Sequence, residues 1–539
     1  MLPGSPEFRP DTLTASEQAL QFGFNNDFVA YIPLDRRPDT RGLLCVNHEY
    51  TAARMAFPGV ARSPRLGSDQ AEHMSVEMAA HGHSVVEIQL EGDRWDLVAD
   101  SPLNRRLDGA STPFLLTGPA AGHPRLKTAA DPTGRSVLGT LHNCSGGVTP
   151  WGTVLLGEEN IQYYFSGDTS GAPEARNHER YGLGSPRGYH WDRLDPRWDL
   201  AQSPHEPNRF GWIVELDPMD PSSTPRKRTA LGRLKHEGAG CCLAPDGRVV
   251  LYMGDDASFE YLYRFVSRDP VQPGGTAANL DLLDHGTLSV ARFDSDGTVE
   301  WLNLVHGQGP LTDLHGFHSQ ADVLIESRTA ADLLGATPMD RPEGVVPNPK
   351  TGHVYVILTG NSARGTDKPT DAVHPRVDNR FGQILELSPP GSGGEGSAEH
   401  AARTFEWDIL LIAGNPADPQ HQAHYGSSGS EATGLDGADP ASWFICPDNC
   451  TFDPWGRMWV ATDGSWLEPP MADGLYALET EGPRRGAPRR LYLGPRGSEV
   501  SGPCFTPDGC TVFVSVQHPA DEDGSTFDAP STRWPDFDP

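Results

Sequence analysis

Basic residues are scarce in this chain. It contains 43 Lys and Arg residues against 73 Asp and Glu residues, which gives a formal net charge of −30 over 539 residues. A nucleic-acid partner is therefore not expected, because binding a phosphate backbone requires clustered Lys and Arg. The excess of carboxylates instead favours cations, either as general solvation of the surface or at specific metal sites.

Long apolar runs are also missing. No stretch approaches 18 consecutive apolar residues, so we expect no membrane span. The first residues show no basic region followed by an apolar one, as a secretory signal would. The segment Gly4-Ser-Pro-Glu-Phe8 resembles translated cloning vector, which leaves open whether a native leader has been removed.

Cysteine is rare, and several catalytic signatures are absent. Eight cysteines in a chain of this length exclude a disulfide-dense scaffold. Cys446 with Cys450, and Cys504 with Cys510, are candidate pairs, but spacing does not decide connectivity. The sequence contains no P-loop, no G-x-S-x-G elbow and no H-E-x-x-H motif.

Glycine and proline are abundant, with 59 and 49 residues respectively, which argues against a helical bundle. They recur in tight-turn signals that lead into short apolar strands. The turns begin near residues 39, 149, 245, 349, 453 and 507. The strands that follow end in Asn47-His-Glu49, Glu158-Glu-Asn160, Gly254-Asp-Asp256, Thr359-Gly-Asn361, Thr462-Asp-Gly464 and Gln517-His518.

Six such hairpins predict an all-β fold, a six-bladed β-propeller with long loop insertions and short helices. A large β-sandwich and several small β-domains are the alternatives. Short helices are expected at residues 329–334 and 70–81. We expect an N-terminal segment at 1–20, which includes the vector-like residues, a single catalytic domain at 21–520, and an acidic C-terminal tail at 521–539.

Residues suited to metal binding also lie about five to eight positions ahead of most turns. Because the start of one strand and the end of its partner share one end of a hairpin, these residues should ring one mouth of the channel. The upstream residues are Cys144, Glu237, Arg341, Glu343, Asp448, Asn449 and Glu499, and the downstream ones include Glu158, Glu159, Asp255 and Asp256. Carboxylates crowded in this way favour a multinuclear cation site, and the one thiol favours a transition metal among the cations.

Each of these residues also has an ordinary structural interpretation. Glu237 and Glu343 alone would be strand-end charges, but the repeated placement favours ligands. Cys144 alone would be a small buried hydrophobe. Arg341 lies two residues before Glu343, so both point to one side of a strand. Its guanidinium suits a bidentate grip on phosphate, and the alternative is a salt bridge that balances the carboxylates.

The same segments resemble the PhoX family of bacterial alkaline phosphatases. The longest one, residues 143–160, begins Asn-Cys-Ser-Gly-Gly-Val and continues through Pro-Trp-Gly to Gly-Glu-Glu-Asn. The other matching segments are 22–27, 44–50, 235–239, 252–256, 341–344, 379–386, 447–457 and 499–509, in the family's order.

This resemblance implies a six-bladed propeller phosphatase with an Fe3+ and Ca2+ cofactor, in which a cysteine thiolate bridges two irons. Cys144, Glu237 and Glu343 match the iron-site motifs. The other segments that would supply ligands contain Glu158, Glu159, Asp255, Asp256, Asp448, Asn449 and Glu499. Arg341 matches a phosphate-contacting arginine, and we assign Asn47 in segment 44–50 to substrate binding as well.

We therefore expect an alkaline phosphatase that hydrolyses small phosphate monoesters and is a monomer. Members of this family are exported in the folded state, so the resemblance implies a periplasmic or extracellular location. A cytoplasmic location is the alternative. One alternative is a related propeller hydrolase for phosphodiesters, phosphotriesters or lactones, with its pocket reshaped by loops at 165–210 and 363–380. The other alternative is a non-catalytic binding propeller stabilised by calcium. The presence of Arg341 disfavours it, because a structural calcium site does not need a side chain that binds an anion.

Overall fold

Antiparallel hairpins are the repeated element of this protein. The structure is a computed structural model that describes residues 2, 4–34, 36–61, 66–185, 187–394, 398–425, 442–467 and 471–535. All six predicted turns join adjacent antiparallel strands. The predicted hairpin repeat is therefore confirmed.

Helices are few and short. They are α1 (Ala15–Gln18), α2 (Ala53–Ala56), α3 (Ala71–Ala80), α4 (Ala175–Arg180), α5 (Gly275–Asn279), α6 (Gln320–Ile325) and α7 (Ser327–Leu334). The two helices predicted from the sequence correspond to α3 and α7. Over the described ranges, no helix has both the length and the apolar character needed to cross a membrane.

The first two sheets cover the N-terminal part of the chain. The first contains β1 (Asn26–Pro33), β2 (Arg41–His48), β3 (Gly82–Glu91), β4 (Arg94–Leu97) and β5 (Arg105–Leu107) in the order β1-β2-β3-β4, with β5 paired to β3. The second contains β6 (Pro113–Thr117), β7 (Ser136–Leu138), β8 (Asn143–Val148), β9 (Val154–Glu158), β10 (Ile213–Leu216) and β11 (Arg226–Arg228). Its order is β7-β6-β11-β10-β9-β8, and β6 and β11 are parallel.

The third sheet has ten strands and spans two hairpins. Its strands are β12 (His236–Leu243), β13 (Arg248–Asp255), β14 (Leu262–Pro270), β15 (Gly286–Phe293), β16 (Thr298–Asn303), β17 (Pro342–Pro347), β18 (Val354–Leu358), β19 (Gln383–Ser388), β20 (Thr404–Ile412) and β21 (His424–Tyr425). The order is β12-β13-β14-β15-β16-β20-β19-β18-β17, with β21 paired to β20. The outer strands β16 and β20 pair with each other, and the sheet curves so that its end strands β12 and β17 lie side by side.

The last two sheets complete the chain. One contains β22 (Pro447–Phe452), β23 (Met458–Thr462), β24 (Gly474–Leu478) and β25 (Pro488–Leu493) in sequence order. The other contains β26 (Glu499–Phe505) and β27 (Val512–Gln517). The eight cysteines are all free, so neither candidate disulfide forms.

The first strands of the six hairpins form a closed ring. Going round it, β1 contacts β8, β8 contacts β12, β12 contacts β17, β17 contacts β22, β22 contacts β26, and β26 contacts β1. The apolar cores lie between neighbouring sheets. Leu43 of the first sheet packs in one core with Val154 of the second, and Leu155 of the second packs in another with Leu251 of the third.

A β-bulge interrupts each of the six ring strands near its beginning. Between two paired positions the ring strand has one residue more than its partner, as between Asn143 and Gly146 of β8 opposite Glu158 and Leu156 of β9. The same irregularity occurs in β1, β12, β17, β22 and β26. Because a bulge redirects the side chains around it, the repeat changes their direction at the same level in all six strands.

Glycines allow the ring strands to approach one another closely. A Cβ atom on Gly147 would lie 2.1 Å from the Ala239 carbonyl oxygen, and one on Gly240 would lie 1.9 Å from the Val345 carbonyl oxygen. Both distances are far below any van der Waals contact, so these positions require glycine. The strands β8, β12 and β17 can therefore sit near the axis together.

We predict that Gly240→Ala lowers the free energy of unfolding by about 1–3 kcal/mol, the usual cost of adding a methyl group to a packed interior. Chemical denaturation monitored by fluorescence measures the change. Gly394→Ala is the matched control, since a Cβ atom there meets nothing within 4 Å. Equal stability of the two variants would contradict the close approach of β12 and β17.

Candidate metal centre

A small, strongly acidic cavity lies at the end of the ring opposite the six turns. Its volume is about 190 Å³. The lining comes from the beginnings of ring strands and the ends of their partners: Asp27, Glu49, Tyr50, Cys144, Glu159, Asn160, Glu237, Asp256, Arg341, Glu343, Asp448, Asp463, Glu499, Gln517 and His518. Nine of these side chains are carboxylates and one is a thiol. The structure therefore brings together Cys144, Glu159, Glu237, Asp256, Arg341, Glu343, Asp448 and Glu499, all predicted from the sequence.

Four groups of side chains in and beside the cavity have ligand atoms close enough to hold a metal ion. They are Asp27 with Glu49 and Cys144, Glu49 with His142 and Glu159, Cys144 with Glu159 and Glu237, and Glu237 with Asp256 and Glu343. Within each group the ligand atoms lie within 4.8 Å of one another. Because the groups share members, they form one continuous cluster of donors rather than separate sites.

The thiol of Cys144 belongs to two of these four groups. It donates a hydrogen bond to Asp27 Oδ2 over 2.7 Å. Burial raises the pKa of the Cys144 thiol, and the charges of Asp27 and Glu237 raise it further. A bound cation would have the opposite effect, because metal ions deprotonate a coordinating thiol.

Seven of the lining carboxylates have raised pKa values, and burial is the largest cause for each of them. Burial is the largest cause for Glu237, followed by the charge of Glu343. Burial also raises the pKa of Asp27 to about 7, and Glu159 adds to the rise. Burial raises the pKa of Asp448 and Glu499 too. These groups ionise together only if positive charge is added to the cavity.

Several carboxylate oxygens lack any hydrogen-bond donor. Asp27 Oδ1, Glu237 Oε2 and Glu499 Oε1 are buried and have no partner among the described residues. Buried polar atoms are normally satisfied, so such atoms indicate an unseen ligand. Oxygen donors with one sulfur fit hard cations together with a transition ion. The residues present therefore fit a metal cluster.

Arg341 contributes a positively charged side chain to the wall of the cavity. Its Nε and Nη2 atoms donate to the two oxygens of Asp256 at 2.9 and 2.8 Å, and Nη2 also lies 3.1 Å from Glu343 Oε1. Within the described part of the chain, Nη1 makes no hydrogen bond. The side chain is 29% exposed, which leaves this amino group available to a ligand in the cavity.

The backbone of Arg341 has φ of +42°, a region that non-glycine residues seldom adopt. The same conformation occurs at Asn25, His142 and Cys446, and each of the four residues immediately precedes a ring strand. Strained conformations of this kind cost roughly 1–3 kcal/mol and are typical of functional sites.

Glu158 and Asp255 do not line the cavity, although the sequence analysis grouped them with their neighbours. Glu158 Oε1 forms a fully buried ion pair with Lys227 Nζ at 2.6 Å. Asp255 Oδ2 accepts from Arg328 Nε at 2.8 Å. The reason is the alternation of strand side chains, which sends consecutive residues to opposite sides.

Asn449 and Asn47 also lie outside the lining. Asn449 donates to Asp448 Oδ1 at 3.2 Å and accepts from the Gly502 amide at 2.9 Å, so it lies behind the cavity. Asn47 is fully buried and is not among the residues that line the cavity. Both amides are occupied by protein hydrogen bonds.

The candidate list from the sequence omitted several lining residues. Glu49, Asp463 and His518 belong to the polar strand ends that mark the hairpins, so the repeat itself could have identified them. Asp27 is the second residue of the eight-residue strand β1 and therefore lies further ahead of its turn than the interval searched. Tyr50 directly follows Glu49, and its ring stacks on His142 at 5.8 Å.

The chain is similar to proteins of one known family. The family described as "Alkaline phosphatase PhoX" matches residues 1–520. The structure of Pseudomonas fluorescens PhoX in complex with vanadate, a transition state analogue, is similar over 97% of this chain and 89% of that one, with 42% sequence identity and a TM-score of 0.87.

A protein of unknown function from Dyadobacter fermentans is 10% identical, over 90% of this chain and 87% of that one, with a TM-score of 0.34. No curated protein matches the chain.

We predict that the metal-stripped protein becomes less stable as pH rises, and that Asp27→Asn relieves part of this loss. The folded pKa of Asp27 is raised to about 7, above an unfolded value of about 3.9. Its contribution to stability is therefore present at low pH and lost as pH rises through 7. At pH 8 the stripped Asp27→Asn variant should melt at a higher temperature than the stripped wild type, and the difference should shrink towards pH 5.

The control for this experiment is Asp93→Asn, in an exposed turn. Thermal melts of chelator-treated protein supply the measurement. Identical melting temperatures for wild type and Asp27→Asn at pH 8 would show that Asp27 is not a desolvated charge in the folded protein.

Proposed function

Because the chain belongs to the PhoX family of alkaline phosphatases, we propose that the acidic cavity is the active site of a metal-dependent phosphatase and hydrolyses phosphate monoesters. One observation carries this proposal. A single cavity gathers nine carboxylates, a thiol and Arg341, in a chain 42% identical to a phosphatase that binds vanadate. Vanadate there is a transition state analogue, which supports phosphoryl chemistry for this chain.

We propose Fe3+ and Ca2+ as the metals. Cys144, Glu237 and Glu343 would hold iron, as the family resemblance implies, and the shared donor groups around Cys144 support this assignment. Glu159, Asp256, Asp448 and Glu499 would hold the remaining ions. Asp27 and Glu49 join this set because each lies with Cys144 in one donor group.

When bound, the cations supply charge neutralisation at the phosphoryl oxygens and a nucleophile derived from water. The side chains of the protein orient the substrate. Asp256 and Glu343 hold the guanidinium of Arg341 at the wall, and its free Nη1 atom would donate to a phosphoryl oxygen. The charge that develops on that oxygen strengthens this hydrogen bond in the transition state.

The ring of six hairpins supports a six-bladed propeller, with the paired outer strands β16 and β20 joining two blades into one sheet. We propose residues 21–520 as its single catalytic domain, with residues 1–20 ahead of it and the tail at 521–539 after it. The last four residues of this tail, 536–539, lie outside the described residues. A monomeric state and a periplasmic or extracellular location are proposals supported by the family resemblance alone.

We predict that Arg341→Ala lowers phosphomonoesterase activity about 100-fold, the effect of removing one electrostatic donor from a transition state. Metal content per chain should stay near the wild-type value, because Arg341 binds substrate rather than metal. Hydrolysis of a chromogenic phosphate monoester at alkaline pH, together with elemental analysis, measures both quantities.

Arg268→Ala is the matched control, since its side chain is 64% exposed and forms an ion pair with the neighbouring Asp269 on the surface. Full activity in Arg341→Ala would show that Arg341 does not act in the site.

The same assay with a phosphodiester, a phosphotriester and a lactone tests the ester class. Faster turnover of any of these substrates than of the monoester would overturn the monoester assignment.

A further inference from the structure

A buried pair of polar side chains lies directly behind Cys144. Asn47 of β2 and His83 of β3 face each other in the sheet register, and both are fully buried. Asn47 Nδ2 donates to the Cys144 carbonyl oxygen at 2.6 Å and to the Ser145 carbonyl oxygen at 3.3 Å. Asn47 Oδ1 lies 2.8 Å from His83 Nδ1.

These contacts fall on the bulge of β8. Cys144 and Ser145 are the two residues between the paired positions Asn143 and Gly146, so neither has a partner residue in the β9 register. A bulge leaves the local backbone without part of its ladder. The amide of Asn47 provides a donor to both carbonyl groups, and it comes from a different sheet.

The direction of the Asn47 amide is fixed by the atoms around it. Two carbonyl oxygens can only accept, so the amino group must face them. Its oxygen then faces His83, and His83 Nδ1 must carry the hydrogen of that contact. This arrangement orients the amide in a single way, as outer partners commonly orient the ligands of a metal.

We propose that Asn47, held by His83, is the positioning residue that fixes the bulge of β8 so that the Cys144 thiol points into the metal centre. This role replaces the substrate contact assigned to Asn47 from the sequence. The inference rests on the proposed function, because it needs a metal for Cys144 to bind. In this role Asn47 itself contacts neither the metal nor the substrate.

The test compares three variants of the full chain, each reconstituted with Fe3+ and Ca2+. Asn47→Ala removes both hydrogen bonds to the bulge. His83→Gln keeps Asn47 but changes the group that orients it. Asn348→Ala is the matched control: Asn348 is equally buried and donates to the Gly456 carbonyl oxygen, but it lies at the turn end of the hairpins.

We expect Asn47→Ala to hold iron about tenfold more weakly in a chelator competition, the size of effect that an outer-shell change usually has. The thiolate-to-iron charge-transfer absorption should shift or weaken in the same variant. His83→Gln should show a smaller change of the same kind. Asn348→Ala should lose some thermal stability but keep wild-type iron affinity and absorption.

The outcomes separate this inference from the proposed function. Wild-type protein that takes up no iron contradicts the proposed metal centre itself. Wild-type protein that binds iron, with Asn47→Ala matching it in affinity and absorption, overturns the positioning role alone. If Asn47→Ala does not fold, His83→Gln decides: unchanged affinity and absorption in that variant overturn the proposal.

Discussion

The mutual repulsion of buried carboxylates is the constraint on which this structure depends. Nine of them line a cavity of about 190 Å³, where neighbouring charges act at short range with little water to screen them. Burial first, and then the charge of neighbouring carboxylates, raises the pKa values of Glu237, Glu343 and Asp448. A fold can retain such a cluster at alkaline pH only if cations share the cavity, so the metal ions are part of the stability of the fold as well as of its chemistry.

The backbone builds this cluster by repeating one local structure, a bulged strand that leads to a turn, six times. A short strand begins at the cavity, a bulge follows at once, and the strand then runs to a turn rich in Gly and Pro. Four of the six strands are entered through a residue with positive φ. Glycines such as Gly147 and Gly240 let the strands approach the axis. Asp27, Cys144 and Glu343 reach the cavity from equivalent places on different strands because of this repetition.

Much of this arrangement could be predicted from the sequence because it is periodic. Pro-Asp-Gly and Pro-Trp-Gly turns located four of the six hairpins, and the turns Asp-Thr-Arg-Gly and Pro-Lys-Thr-Gly located the other two. The polar residues at the open ends of the hairpins located the cavity. For pairs of adjacent acidic residues, it was harder to predict which member faces the cavity. The sequence did not show that Glu159 faces the cavity while Glu158 pairs with Lys227. Strand alternation separates the two side chains, but it does not say which of them faces the axis. Nor did the sequence show that the amide of Asn47 is used by the backbone, because that contact joins two sheets far apart in the chain. The pairing of β16 with β20 depends likewise on long-range packing that no local signal reports.

The most direct test of the account is anomalous X-ray diffraction from crystals of the holoprotein, recorded on either side of the iron absorption edge. The account predicts iron peaks within bonding distance of Cys144 Sγ and next to Glu237, with further cation density among the remaining carboxylates of the cavity. A cavity that holds no metal in crystals of active enzyme, or iron bound elsewhere on the chain, would contradict it.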